Sequence, residues 1–295
     1  MIVTPGEINT SQLHHYLIGA VAPRPICFAS TLDAAGKPNL SPYSFFNVFG
    51  SNPPILIFSP SRKVRNNSLK HTLENIQETG EVVINVVNYA MVQQMSLSSC
   101  EYPKGVDEFE KAGFHKLPSQ VVKPWRLAES PVQIECQVMQ IIETGTEGGA
   151  GNLIICKVVM MHIDDAILDD QSRIDPQKID LVARMGGDYY CRASGHAVFI
   201  VPKPNANLGI GVDALPESIR TSTVLTGNHL GMLGNVQEMP SVDPTFHDKH
   251  LADIIQYYSI NTGEMEGESH LYAAALLKEG RTADAWQVLL ATIAP

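Results

Sequence analysis

The sequence predicts a mainly β (α+β) fold, an antiparallel barrel with peripheral helices, followed by a helical C-terminal extension. Three observations carry that prediction. β-prone segments crowd the first part of the chain and are joined mostly by short turn-rich stretches. Few helical patterns separate them, so the strand–helix alternation of a doubly wound parallel sheet is absent. Beyond Pro202 the texture becomes helical. At 295 residues, 44% hydrophobic and 18% charged, the chain can bury a core as one large domain or two smaller ones, and the change of texture divides it into residues 1–200 and 201–295.

Element by element, SQLHHYLIGA (11–20) has helical apolar spacing behind Ser11, a residue type able to cap it. PICFAST (25–31), NLSPYSFFNVFG (39–50) and PILIFSP (54–60) are β-rich and are separated by the turn chemistry of DAAGKPN and SNPP, so the first pair reads as a hairpin. SLKHTLENIQETG (68–80) reads as a helix with Ser68 as candidate cap, Leu69, Leu73 and Ile76 on one face and Gly80 as its stop. EVVINVV follows as a buried strand, YAMVQQMSLSS as a helix and EYPKGVDEFEKAGF as an irregular loop. Segments 132–143 and 153–163 alternate around the glycine-rich TGTEGGAGN, a long hairpin. PKPNANLG (202–209) reads as a linker, and three amphipathic helical patterns lie in 247–260, 267–280 and 282–293.

Composition narrows function. The net charge of −10 argues against nucleic-acid and anionic-membrane partners, which need a broad basic face. The longest apolar runs fall short of the ~18 residues of a membrane span, and no charged-then-apolar leader is seen, so a cytoplasmic protein is expected. Cys27, Cys100, Cys136, Cys156 and Cys191 are scattered without C-x-x-C spacing, so neither a disulfide framework nor a zinc site is signalled and buried thiols are expected. No serine–histidine–acid set and no histidine, cysteine and glutamate cluster at metal spacing stands out, so neither a catalytic dyad nor a metal is assigned.

Two stretches point to a ligand. Between Asp33 and Glu74 there is no acid, while Lys37, Arg62, Lys63, Arg65 and Lys70 fall inside, a window of positive potential in an acidic chain. Lys70 and Thr72 fall near the start of the predicted helix, where free N–H groups and the dipole favour an anion and a lysine is otherwise misplaced; a phosphate would explain it. Asn39, Ser41, Tyr43 and Ser44 supply donors and acceptors beside aromatics, and Pro42 removes a ladder hydrogen bond, marking an edge or bulge. Such a segment suits a flat, polar-edged heterocycle. Arg24, fixed between Pro23 and Pro25, is either a plain strand start or a cation held to meet an anion.

The strings APRPICFAST…GKPNLSPYSFFN, LKHTLENIQETGEVVINVV, SSCEYPKGVDEFEKAGF, ESPVQIECQV and ARMGGDYYC occur in the order and spacing of the flavin reductase-like, FMN-binding split-barrel family, and the resemblance covers roughly residues 15–195. It implies a closed six-stranded Greek-key split barrel, a homodimer and noncovalent FMN, with NADH or NADPH as co-substrate and electrons passing to free flavin or another acceptor. The alternative within the resemblance is a flavoredoxin-type electron carrier. It implies further that Arg24 lies near the cofactor; that Asn39, Ser41, Pro42, Tyr43 and Ser44 lie along the ring and ribityl chain; that Ser59, Lys70 and Thr72 face the phosphate; and that Ser96, Ser99 and the VDEF loop close over the flavin. His162 and Arg184 match further family strings, and for them a structural role is an equal reading.

Overall fold

In the computed structural model the described residues are 1–203 and 208–293, so part of the predicted linker, residues 204–207, lies outside them. The chain divides into two units, Met1–Phe199 and Ile200–Pro295.

Unit 1 begins with helix α1 (Thr10–Ala20), capped by Asn9, whose side chain accepts from Gln12 N; the cap precedes Ser11, the residue the sequence pattern favoured. Strands β1 (Cys27–Leu32), β2 (Pro38–Tyr43), β3 (Phe46–Ser51) and β4 (Pro54–Phe58) follow, so the single predicted segment 39–50 is in fact two strands broken at Ser44–Phe45. Helix α2 (His71–Thr79) ends at Gly80 with φ 69°, a left-handed stop that glycine adopts without strain. β5 (Glu81–Val86), α3 (Val92–Leu97) and the short helix α4 (Glu108–Ala112) come next, the last inside the stretch predicted to be irregular. A two-residue pair, β6 (Lys116–Leu117) and β7 (Arg126–Leu127), precedes the long hairpin β8 (Val132–Glu143) and β9 (Asn152–Ile163). After the short helix α5 (Pro176–Ile179), β10 (Leu181–Arg184) and β11 (Tyr190–Ala193) form a small hairpin.

One antiparallel sheet holds seven strands in the order β2-β1-β5-β8-β9-β4-β3. This is one strand more than the family resemblance implied. The two ends of the sheet, β2 and β3, are consecutive in the chain, so the polypeptide itself turns the corner at Ser44–Phe45 where no ladder closes the barrel among the described residues. Pro42 sits on β2, an edge strand, where its missing N–H leaves no gap in an inner ladder. The interior is packed by Cys27, Ala29, Phe58, Val82, Ile84, Cys136, Ile154 and Cys156, and α2 lays Leu73 and Ile76 onto it. Three of the five cysteines are thus core residues, whereas Cys100 is exposed and Cys191 half-buried.

Unit 2 is helical: α6 (Glu217–Arg220), α7 (Gly227–Leu233), α8 (Lys249–Tyr257), α9 (Thr262–Lys278) and α10 (Thr282–Thr292). α9 starts before the predicted pattern, and α6 and α7 lie in a glycine-rich stretch that carried no helical signal. The core is Trp286, Val288, Leu289, Leu276, Leu277 and Ile219. Buried His270 joins α9 to the segment before α7: its Nδ1 lies 2.8 Å from Ser222 Oγ, which itself accepts from Val224 N and Leu225 N. Both acceptor positions of Ser222 are thereby used, so the hydroxyl donates to a neutral imidazole. Burial lowers the His270 pKa, against the opposing charge of Glu266. Because the folded state takes up the proton less readily, the unfolded chain holds more protons below its ordinary value of about 6.5, and unit 2 loses stability as the pH falls from there through the lower folded value. Thermal melts followed by Trp286 fluorescence in a Trp125→Phe background should show that acid-side loss, and His270→Gln should flatten it.

Candidate functional site

The alternation of β2 puts Asn39, Ser41 and Tyr43 on one side of the strand. With Lys63, Leu69, Lys70 and His71, with Ser99, Cys100, Glu101 and Tyr102 from the segment after α3, and with Glu108 at the start of α4, they line one pocket. Its wall is tied together through Thr72, the second residue of α2, which is fully buried. Asn39 Nδ2 and Tyr43 OH both donate to Thr72 Oγ1, each at 2.8 Å. This fixes the amide and the phenol in position. Burial pushes the Tyr43 hydroxyl well above its ordinary value, so it stays a neutral donor.

The pocket is electrically divided. Lys70 is the N-cap residue of α2, and no side chain caps that helix. Burial lowers the Lys70 pKa, and Lys63 lowers it further. Among the described residues no carboxylate lies within ion-pair distance of Lys70, whereas Lys63 and Arg65 meet Glu101 at 3.3 and 3.2 Å. At the other end Glu108 is 4% exposed and accepts from Leu40 N at 3.0 Å. Burial raises its pKa although that hydrogen bond opposes the shift. A cationic rim around an uncapped helix end, faced by a buried carboxyl and by the fixed Asn39 amide and Tyr43 hydroxyl oxygen, suits a ligand with an anionic tail and a polar-edged body.

The other expected site residues are placed elsewhere. Arg24 is 7% exposed, and its guanidinium donates to the carbonyls of Ile18, Val21 and Met185 at 2.5, 2.6 and 3.0 Å and to Ser44 Oγ at 3.3 Å. With four of five N–H donors engaged inside the protein, Arg24 and Ser44 form a clamp between the end of α1, the β10–β11 hairpin and the β2–β3 corner. Ser59 Oγ accepts from Asn152 N at 3.0 Å and helps start β9, outside the pocket. Ser96 opens on a different cleft, beside Tyr89, Tyr190 and Arg192, from the pocket that Ser99 lines. Pro42 lies between the pocket-facing residues Ser41 and Tyr43.

His162 and Arg184 have structural roles. His162 Nε2 is 2.7 Å from Glu135 Oε1, and Arg184 donates to Gly187 O at 2.9 Å while its guanidinium carbon stands 4.6 Å from the Tyr190 ring centroid. Sequence reasoning did not single out Glu101, Tyr102 or Glu108 as individual site residues. The acid-free window ends at Glu74, and only folding returns these acids to its basic residues.

Comparison with known proteins supplies the deciding observation. The family model described as "Flavin reductase like domain" matches residues 19–176, more than half of the chain. The chain belongs to the flavin reductase-like family. A Halalkalibacterium halodurans protein of undescribed function is 37% identical over 192 residues, 64% of this chain and 91% of its own. Among solved structures similar to this chain, nitrilotriacetate monooxygenase component B from Bacillus cereus superposes with TM-score 0.63 at 26% identity over 68% of this chain and 98% of that one. A split-barrel-domain protein from Shewanella frigidimarina gives TM-score 0.58 at 26% identity, over 69% and 99% respectively. The flavin reductase-like family carries with it the split-barrel fold, a flavin as small-molecule partner and flavin-linked oxidoreductase chemistry. No helix among the described residues is long and apolar enough to cross a membrane.

Proposed function

We propose that this protein is an FMN-binding oxidoreductase that takes a hydride from NADH or NADPH and passes electrons to free flavin or another acceptor. The observation that carries this reading is the pocket in which the uncapped start of α2, with Lys70 and nearby Lys63, adjoins the fixed side chains of Asn39 and Tyr43. The polar set fits FMN: two ammonium groups and free helical N–H groups for a phosphate, hydroxyls of Ser41 and Ser99 for the ribityl chain, and the second Asn39 N–H, the Tyr43 hydroxyl oxygen as acceptor and a buried carboxyl for ring edges. FMN would supply the hydride-accepting ring, so no nucleophile or metal is required of the protein. Lys70, Lys63 and the N-terminus of α2 hold the anionic tail; Thr72 holds Asn39 and Tyr43 at a set spacing; Leu69 and Tyr102 limit water at the pocket wall.

The protein is further proposed to form a homodimer, because the edge strand β3 exposes Val48 and Phe49, at 64% and 63%, and β8 and β9 expose Met139 and Met161. Light scattering on the purified chain tests that assembly.

The decisive experiment is the absorption spectrum of the purified, FMN-supplemented protein followed by anaerobic addition of NADH and NADPH. Rapid bleaching of the flavin band is expected. Bleaching only by dithionite would make the protein an electron carrier, and protein that takes up no FMN would overturn the reading altogether.

A further inference from the structure

Lys63 and Arg65 belong to a segment that contains no acid between Asp33 and Glu74, so their counter-ion has to come from elsewhere in the fold. It comes from Glu101, on the segment after α3 that lines the same pocket. We propose that Glu101 is a displaceable carboxylate latch: it occupies the cationic rim in place of a ligand phosphate, and only a doubly charged phosphate end releases it. The inference rests on the FMN reading of the pocket and adds to it a residue that selects for the charge of the ligand.

The exposures of the partners show why the latch is releasable. The side chains of Lys63, Arg65 and Glu101 are 22%, 81% and 50% exposed. Ion pairs this wet are weak and salt-screened. A phosphate dianion brings more charge and three acceptor oxygens, and it also meets Lys70 and the uncapped start of α2, which the carboxylate leaves without an ion-pair or capping bond. A hydrogen bond from Lys63 and the charges of Lys63, Arg65 and Lys70 hold the Glu101 carboxyl below its ordinary range, so at neutral pH it is an anion. Two ties, Glu101 to Lys63 and Glu101 to Arg65, also join the segment after α3 to the basic loop across the pocket mouth. A neutral flavin such as riboflavin leaves them in place, and FMN replaces them.

The test uses the full chain, wild type and Glu101→Gln, titrated with FMN and with riboflavin by flavin fluorescence at low ionic strength, with inorganic phosphate as a competing probe. Removing two exposed competing pairs should tighten FMN binding about three- to tenfold. Riboflavin affinity should be unchanged, and with FMN held well below its dissociation constant inorganic phosphate should compete at lower concentration in the variant. FMN affinity that is equal or weaker in Glu101→Gln, with both proteins still binding FMN, overturns the latch alone. Equal tightening of FMN and riboflavin also overturns it, since Glu101 would then act by bulk and not by charge. No saturable FMN binding to either protein overturns the latch together with the FMN reading.

Discussion

Replacing Glu135 with alanine is expected to destabilise unit 1 by about 3 kcal/mol or more, the largest single-residue stability effect outside the apolar core. Glu135 is fully buried in β8. Its carboxylate accepts from Gln120 N, Val121 N and Val122 N at 2.9, 2.7 and 3.0 Å, and from His162 at 2.7 Å. Alanine would leave the buried Val122 amide, the part-buried Gln120 and Val121 amides and the His162 imidazole without their acceptor, the buried amide alone a desolvation penalty of about 1–3 kcal/mol. Burial by itself would raise the Glu135 pKa, but the amide donors and His162 outweigh it and bring it down to about 2. The sign follows: the stabilisation is complete above the ordinary carboxylate value of about 4.3 and is lost as the pH falls from there toward the folded value. Denaturant unfolding followed by Trp125 fluorescence in a Trp286→Phe background should therefore show a large gap between the parent protein and Glu135→Ala at neutral pH that narrows below about pH 4. A gap under about 1 kcal/mol at neutral pH would refute the role.

Glu135 also shows what the sequence could and could not disclose. The alternation of residues 132–143 and 153–163 was enough to place β8 and β9 and the hairpin between them, because a two-residue period is written in the chain itself. Which polar residue on that strand points inward is decided by partners in the loop at 120–122, and alternation carries no trace of them. Arg24 is a similar case. The two prolines around it are local and readable, but one of its carbonyl partners, Met185, is 161 positions away. A cation fixed in place looks the same in sequence whether it faces a ligand or a backbone carbonyl. The start of α2 was displaced for a local reason: Ser68 is a good capping residue, yet its hydroxyl donates to Asn66 Oδ1 and Asn67 is left-handed at φ 55°, so the chain is still turning there. The helix begins once that turn is finished, and this leaves Lys70 at the cap. Asn39, Ser41, Tyr43, Lys70 and Ser99 meet in one pocket because two of the sequence signals, the polar run of β2 and the basic window before α2, are carried by elements that pack together.

That convergence makes Lys70→Met the sharpest test of the pocket. If the ammonium meets a phosphate, its loss removes a charge-assisted hydrogen bond of about 1.5–3 kcal/mol, or roughly a ten- to hundredfold rise in the FMN dissociation constant. Riboflavin has no phosphate, so its affinity should stay within about twofold. Thr72→Val is expected to behave differently. Thr72 Oγ1 is the shared acceptor of Asn39 and Tyr43, so valine would unpair two donors in the pocket wall and weaken FMN and riboflavin alike. The two variants thus separate the tail of the ligand from its ring in a single titration experiment. Equal FMN affinity in wild type and Lys70→Met would remove the phosphate from this end of the pocket. A Thr72→Val defect confined to FMN would mean that Thr72 acts at the phosphate and not through Asn39 and Tyr43.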